Sequence, residues 1–177
     1  ENGSEHPSVA AAVADTDCKT VVLEPGVFAG EVEISRDLDL RGAGRSLSFI
    51  VCQDGPCLVV SQGAEVSVEG VAVASGNIAI SVQYSRLKLS RSSLLPVGDS
   101  TGGWLSIRDS DVDMNDVEIV VTDGRPTVIE AVSGFGHDMN MNRIRFQGVP
   151  LLSGTLSAVY TLNYGVQCED CAFTPLV

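Results

Sequence analysis

Carboxylate and amide side chains alternate with apolar residues in two segments of the chain. They are Asp111, Asp113 and Asn115 in the first segment and Asp138, Asn140 and Asn142 in the second. Oxygen-rich clusters of this kind suit Ca²⁺, and carboxylates held about 5 Å apart repel one another unless a cation or a proton lies between them. The types and spacing therefore allow a weak Ca²⁺ site at Asp111, Asp113 and Asp138, or acid–base catalysis by paired carboxylates. They also fit a solvated strand face, because alternation itself demands polar residues on the outer side.

Trp104, the only tryptophan, is a candidate for stacking on a sugar ring. If Leu105 and Ile107 face inward, the two-residue period of a strand places Trp104 outward or at a corner. Phe135, between Gly134 and Gly136, is expected to lie close by in the next repeat. Trp104 is therefore a candidate ligand-binding residue, with packing of both rings under a loop as the more common arrangement.

The elements that must position these groups come from a short repeat, with apolar residues at its first, third, sixth and eighth positions. The copies begin at Val66, Leu87, Val112, Met139 and Val166, at offsets of 21, 25, 27 and 27 residues. Counting Cys as apolar, nineteen of the twenty positions are apolar and only Ser92 is polar; 44% of the chain is hydrophobic, so chance would give about nine. A degenerate sixth copy begins at Leu38. Such periods are typical of solenoids.

Within each copy the alternation has a period of two, which indicates strands, and the extra residue in the middle indicates a sharp bend. Further short strands are predicted between the copies, at 58–60, 78–82, 105–107, 127–129 and 158–162. Three strands in each turn of about 25 residues describe a parallel β-helix. Its core should contain two inward ladders, Val68–Leu89–Met114–Met141–Cys168 and Val71–Ser92–Val117–Ile144–Cys171.

The ends of a solenoid expose unpaired strand edges and need caps. Residues 8–15 read as a capping helix with Ser8 at its N-cap, after a tail at 1–7 and before a β-helix over 19–173. The C-terminal tail, 174–177, is too short to cover much of the last coil. We expect that end to be capped by a partner copy, by a missing segment, or only by Pro175 and Leu176.

The charge and the hydropathy pattern exclude several classes of partner. Eleven basic residues against 23 acidic ones give a net charge of −12, which disfavours nucleic acid and anionic membrane surfaces. A polyanionic ligand would need a bridging cation. No stretch approaches the ~20 apolar residues of a membrane span, and the first residues do not form a signal peptide, which either has been removed or never existed.

The five cysteines leave their pairing open. Cys52 and Cys57 flank a turn and could form a disulfide in an oxidising compartment. Cys168 and Cys171 occupy inward positions, and are interpreted as small buried hydrophobes or as a disulfide rather than half of a zinc site. Cys18 is left over.

The segment from Thr20 to Gly44 has a Pro25–Gly26 turn, two short β-forming stretches and a closing Gly42-x-Gly44. It resembles the first coil of pectin-lyase-like right-handed parallel β-helix proteins, and the resemblance covers roughly residues 8 to 173. It implies right-handed winding, which is common among extracellular polysaccharide lyases, hydrolases, esterases and epimerases, phage tailspikes and bacterial surface proteins. Enzymes of that superfamily are usually longer, and no catalytic residue can be carried over; His137 is interpreted as a turn residue rather than as a base.

The sequence thus predicts an all-β, single-stranded right-handed parallel β-helix of about six coils. We expect a secreted or cell-surface module that binds a carbohydrate or a protein partner without chemistry. One alternative is a small Ca²⁺-dependent polysaccharide lyase or epimerase. Another is an architectural spacer or a unit that self-assembles through its C-terminal end.

Overall fold

The computed structural model of the chain describes residues 5–97, 105–121, 127–148 and 157–175. Within these ranges the protein is almost entirely β-structure, with one short helix, α1 (Val9–Ala14). In chain order the strands are β1 (Thr20–Leu23), β2 (Gly26–Ala29), β3 (Val32–Ile34), β4 (Leu38–Gly42), β5 (Ser48–Cys52), β6 (Leu58–Val60), β7 (Glu65–Glu69), β8 (Ala72–Ser75), β9 (Ile80–Gln83), β10 (Arg86–Ser90), β11 (Ser93–Pro96), β12 (Leu105–Arg108), β13 (Asp111–Asn115), β14 (Glu118–Val121), β15 (Thr127–Asn142), β16 (Arg145–Gly148), β17 (Ser157–Glu169) and β18 (Ala172–Pro175). The all-β prediction is confirmed.

The strands pair in parallel with their equivalents one coil earlier and one coil later, which builds three faces. On the first face β1, β4, β7, β10 and β13 stack in that order, followed by the second halves of β15 and β17. The second face is β2, β5, β8, β11, β14, β16 and β18. The third is β3, β6, β9 and β12, followed by the first halves of β15 and β17. The second face has seven levels, so the number of coils differs slightly from the six predicted.

The first predicted inward ladder forms as expected. The parallel register pairs each residue of Val68, Leu89, Met114, Met141 and Cys168 with the next. All but Cys168 are buried. Because equivalent residues lie one above another, each coil completes the apolar environment of its neighbours.

Ser92, the polar exception in the repeat, is also buried, and backbone hydrogen bonds explain it. Its hydroxyl donates to the carbonyl of Ser90 (2.8 Å) and accepts from the amide of Val71 (3.3 Å). A buried hydroxyl with both partners carries little penalty. Ser92 therefore satisfies two main-chain groups at the bend between β10 and β11.

That bend has the same backbone conformation in successive coils. Gly70, Arg91, Asp116, Arg143 and Asp170 all have positive φ, between 47° and 66°. The amides of Arg91, Asp116 and Arg143 each donate a hydrogen bond to the next coil, at 2.9–3.0 Å. In each case the acceptor is the carbonyl of the residue that directly precedes the equivalent corner residue. The result is a corner ladder in which the charges of the four non-glycine residues alternate in sign.

The helix α1 covers the N-terminal end of the stack, as predicted. The side chain of Ser8 caps it by accepting a hydrogen bond from the amide of Ala11 (3.1 Å). Val9, Ala12 and Val13 are buried against the start of the β-helix, where α1 contacts β1 and β3. The described part of the chain contains no helix with the length and hydropathy of a membrane span.

At the other end, the last described coil leaves inward positions uncovered. Val166 pairs with buried Met139, yet 40% of Val166 is exposed. Cys168, which pairs with buried Met141, is exposed as well. Of the described residues, none forms a further coil above these positions.

Four cysteines form two disulfides, Cys52–Cys57 and Cys168–Cys171, and Cys18 is a free thiol. Of the two interpretations of Cys168 and Cys171, the disulfide is confirmed, whereas burial is wrong for Cys168, which is exposed at the uncovered end of the stack; Cys171 is half-buried. Each disulfide closes a short local loop, so neither joins distant coils.

Candidate functional site

The outward residues of the first face form straight polar ladders, because parallel pairing sets equivalent residues above one another. We call this surface the polar face; it comprises Ser67, Lys88, Asp113, Asn140 and Gln167 in one ladder, Glu69, Ser90, Asn115, Asn142 and Glu169 in a second, and Arg86, Asp111 and Asp138 along one side. Six of the predicted site residues therefore lie on one surface. Trp104, the seventh, is outside the described residues.

Asp111 is the most heavily engaged acid of the polar face. Its carboxylate lies 3.1 Å from a terminal nitrogen of Arg86 and 3.0 Å from Nδ1 of His137, and it accepts a hydrogen bond from the amide of Asp138 (3.3 Å). Partial burial raises the pKa of Asp111, but the hydrogen bonds from Arg86, His137 and Asp138 outweigh it and hold that pKa below its usual value. Asp111 is thus an ionised partner of the Arg86 guanidinium.

Side-chain donors also bind the outward oxygen atoms of Asp113 and Asn115. Asn140 stacks on Asp113, and its Nδ2 donates to Oδ1 of Asp113 at 2.7 Å. Arg143 donates to Oδ1 of Asn115, also at 2.7 Å. Nζ of Lys88 binds Oε1 of Glu65, at 2.6 Å.

The three acids suggested as a Ca²⁺ site do not converge on one point. In the ranges that the structure describes, Asp111, Asp113 and Asp138 do not bring three ligand atoms within 4.8 Å of one another. Asp138 leans toward the next coil, where Gly165 leaves it room; a Cβ on Gly165 would lie 2.7 Å from Oδ1 of Asp138. Ca²⁺ binding by two of these carboxylates together with amide oxygens and water stays a prediction.

A four-residue bulge in β15 lies at the corner that leads onto the polar face. The register with β17 jumps between Val132 and His137; residues 134–136 are exposed on this bulge, and Ser133 at its base is buried. The carboxylate of Asp109, one coil earlier, accepts hydrogen bonds from the amide of Gly134 (2.7 Å) and the hydroxyl of Ser133 (2.9 Å). These bonds hold the pKa of Asp109 below its usual value.

Two aromatic side chains stand exposed along this corner. Phe135, at the tip of the bulge, is 81% exposed, so the expectation that it packs under a loop is wrong. Tyr84, which joins β9 to β10 at the same corner of an earlier coil, is 59% exposed. Sequence reasoning missed Tyr84, although its position 25 residues before Asp109 places it at the corner by the repeat alone.

The interpretation of His137 as a turn residue is also wrong. His137 lies within β15, and its ring is 6.0 Å from that of Tyr164 in the last described coil. Its contact with Asp111 orients the imidazole at the edge of the polar face. This His–Asp pair has the geometry in which a carboxylate fixes the ring of a base.

A shallow depression of about 520 Å³ lies across the polar face. Four of the predicted ligand-binding residues line it, together with Ser67, Lys88 and Gln167: Asp113, Asn115, Asn140 and Asn142. Its walls offer hydroxyl, amide, carboxylate and ammonium groups. Such a surface can donate and accept hydrogen bonds along its whole length.

Solved structures confirm the pectin-lyase-like fold inferred from the first coil. Pectin methylesterase in complex with a hexasaccharide aligns with a TM-score of 0.64 at 14% identity, over 95% of this chain and 63% of that one. An Asp-to-Ala mutant of pectin methylesterase in complex with a hexasaccharide aligns with a TM-score of 0.63 at 14% identity, over 93% and 57%. ORF18 of Geobacillus virus E2 aligns with a TM-score of 0.52 at 12% identity, over 86% and 40%.

Sequence comparison adds nothing to this likeness, since neither a protein-family model nor a curated protein matches. The chain spans about three fifths of the length of the pectin methylesterases that it matches. At 12–14% identity the likeness shows a shared fold and no more. What this chain is similar to is therefore a group of right-handed parallel β-helix proteins.

Proposed function

We propose that the protein binds a neutral oligosaccharide along the polar face without transforming it. The observation that carries this proposal is the exposure of Tyr84 and Phe135 on one edge of that face. Aromatic side chains bury large areas when a partner covers them, and Tyr is enriched at binding interfaces. The flat faces of such rings match the C–H face of a sugar.

The depression on the same face supplies the hydrogen bonds that a sugar needs, and the column of Arg86, Asp111 and Asp138 lies between it and the aromatic edge. Its amide and carboxylate groups lie about 4.8 Å apart from coil to coil, as in the pairs Asp113–Asn140 and Asn115–Asn142. A sugar chain presents a hydroxyl at comparable intervals. Contacts with several rings in succession, each weak, would give moderate total affinity.

The charge of the molecule favours a neutral ligand. With a net charge of −12 and carboxylates along the polar face, an acidic oligosaccharide would meet repulsion that only a bridging cation such as Ca²⁺ would offset. Two disulfides fit a secreted or cell-surface location, where free glycans occur.

Calorimetric titration with neutral and with galacturonate hexasaccharides, each with and without millimolar Ca²⁺, tests the proposal. We expect binding of a neutral hexasaccharide that weakens at least about tenfold in Phe135→Ala, as expected for loss of roughly 1.4 kcal/mol of stacking. Val27→Ala, which trims an exposed apolar residue on the second face, is the matched control and should leave affinity unchanged. Equal weakening in both variants, or no binding of any hexasaccharide, would overturn the proposal.

The same titrations, followed by product analysis, separate binding from catalysis. The contact between His137 and Asp111 is the one arrangement on the polar face that favours an enzyme, because it could serve as an oriented general base. Shortened or unsaturated products that disappear in His137→Ala would replace the binding proposal with a lyase or epimerase. Intact hexasaccharide after long incubation supports binding alone.

A second candidate function, self-assembly through the C-terminal end, draws on the exposure of Val166 and Leu162 there. Parallel coils present unpaired backbone groups at an open end, which a second copy could cover. Sedimentation across a wide range of concentration tests this candidate. Association that is abolished in Val166→Lys supports it, and a monomer at all concentrations rejects it.

A further inference from the structure

Three side chains outside the polar face converge where the helix α1 meets the β-helix. His6, Asp15 and Cys18 place a ring nitrogen, a carboxylate oxygen and a sulfur within 4.8 Å of one another. Nε2 of His6 lies 3.4 Å from Oδ2 of Asp15 and 3.8 Å from Sγ of Cys18. All three residues are half-buried.

The contacts meet at one ring nitrogen, which distinguishes this cluster from a nucleophilic triad. In a triad, a carboxylate orients one nitrogen of the imidazole and the other nitrogen faces the nucleophile. Here Asp15 and Cys18 both approach Nε2 of His6. Three unlike donor atoms that surround a common point are the arrangement of a metal site.

The two separations from the imidazole nitrogen match the edges of a coordination tetrahedron. Zn–S bonds of about 2.3 Å, Zn–N bonds of about 2.0–2.1 Å and Zn–O bonds of about 2.0–2.2 Å at tetrahedral angles give N–O edges of about 3.4 Å and S–N edges of about 3.6 Å. The observed distances from Nε2 of His6 are 3.4 Å to the oxygen and 3.8 Å to the sulfur. The third edge, between the carboxylate oxygen of Asp15 and the sulfur of Cys18, is no longer than 4.8 Å.

Main-chain contacts hold two of the three ligands. Asp15 is the C-cap of α1, and its second oxygen, Oδ1, accepts a hydrogen bond from the amide of Asp17 (3.0 Å), which leaves Oδ2 to face His6. The amide of Cys18 donates to the carbonyl of Asp15 (3.1 Å), which closes a turn between these ligands. The nearby guanidinium of Arg36 binds the carbonyls of Val13 and Asp15 rather than the ligand atoms.

We propose that His6, Asp15 and Cys18 form a Zn²⁺ site that fastens the N-terminal cap to the first coil. Thiolate, imidazole and carboxylate are the ligand types that Zn²⁺ takes, and a water molecule would occupy the fourth position. The metal joins residues before α1, at its end and just before β1, which no disulfide connects. The site is independent of the polar face and of any ligand bound there.

Spectroscopic titration of untagged, EDTA-treated protein with Co²⁺ tests the site directly. We expect saturation at one equivalent, with visible bands of tetrahedral Co²⁺ and a thiolate-to-cobalt charge-transfer band, both lost when Zn²⁺ is added. Cys18→Ser should abolish the charge-transfer band, and His6→Ala and Asp15→Asn should weaken binding at least about tenfold, since even outer-shell partners of ligands contribute about 10- to 100-fold. His137→Ala, which removes the other histidine, should bind like the parent protein.

Alkylation of the thiol gives a second readout that does not depend on the stability of any variant. Among the described cysteines, Cys18 alone lies outside a disulfide, so alkylation reports on its thiol. Bound Zn²⁺ should protect this thiol in proportion to the amount of metal bound. Protection in the parent and in His137→Ala, with none in His6→Ala, supports the site. Absent protection, or binding that survives in both His6→Ala and Cys18→Ser, would overturn it.

Discussion

The phenolic hydroxyl of Tyr164 is bound to both main-chain groups of Ser110, two coils away. It accepts a hydrogen bond from the amide of Ser110 (3.0 Å) and donates one to the carbonyl (2.9 Å). The bulge at residues 133–136 carries the intervening coil outward at this corner, and Tyr164 reaches past it. Burial of the hydroxyl raises the pKa of Tyr164, so it remains a donor at neutral pH.

Replacement of Tyr164 by Phe should destabilise the protein through this pair of bonds. The buried amide of Ser110 would lose its partner, at a cost of about 1–3 kcal/mol. Urea denaturation of Tyr164→Phe measures the loss, and Tyr84→Phe, which removes a hydroxyl from an exposed ring, should change the free energy of unfolding by less than about 0.5 kcal/mol. Equal stability of the two variants would show that the Tyr164 bonds contribute nothing net.

Replacement of Gly42 by Ala should be more damaging than its small volume suggests. A Cβ at Gly42 would lie 2.3 Å from the carbonyl oxygen of Gly70 one coil on, and a backbone atom cannot rotate away. We expect a loss of about 1–3 kcal/mol, as for other overpacked sites. Gly136→Ala is the control, because a Cβ there meets nothing within 4 Å, and thermal unfolding of both variants decides the matter.

Replacement of Gln62 by Gly should stabilise the protein. Gln62 is exposed and has a φ of 62°, a conformation that costs a residue with a Cβ about 1–2 kcal/mol. The greater flexibility of Gly in the unfolded chain offsets about 0.5–1 kcal/mol of this, so the free energy of unfolding should rise by about 0.5–1 kcal/mol. Gln62→Ala retains the Cβ and should gain nothing; a gain equal to that of Gly would refute the explanation.

Asp111 should contribute stability that disappears in acid. Its pKa is lower in the folded protein than the value of about 3.9 in the unfolded chain, so the contribution is complete above that value and is lost as the pH falls through the folded pKa. Asp111→Asn should therefore be less stable than the parent protein at pH 7, and the difference should shrink below about pH 4. Urea denaturation at several pH values measures this difference. If the parent protein and Asp111→Asn differed in free energy of unfolding by the same amount at pH 3 and pH 7, the role assigned to the contacts with Arg86 and His137 would be contradicted.

The repeat predicted most of the fold because parallel stacking copies one coil's environment onto the next. Val68, Leu89, Met114 and Met141 could be aligned from their spacing, and each is buried. The alternation also placed Asp113 over Asn140, which form a hydrogen bond. Local periodicity was sufficient for these residues because their neighbours are set by the repeat length.

The sequence could not predict features that depart from the repeat. The bulge that exposes Phe135 depends on hydrogen bonds to Asp109, one coil away, and the exposure of Cys168 depends on what lies above the last described coil. The meeting of His6 with Cys18 depends on the packing of α1, which no periodic pattern encodes. Contacts between elements of different kinds were therefore beyond sequence reasoning.

The alternating charges of the corner ladder restrict how the molecule can change length. Arg91, Asp116, Arg143 and Asp170 follow one another at the spacing between coils, about 4.8 Å. Deleting the coil that carries Asp116 would set Arg91 against Arg143, and deleting the coil that carries Arg143 would set Asp116 against Asp170. Like charges directly opposite on neighbouring strands are destabilising. Gain or loss of two coils preserves the alternation, so a change by an even number of coils should be better tolerated than a change by one.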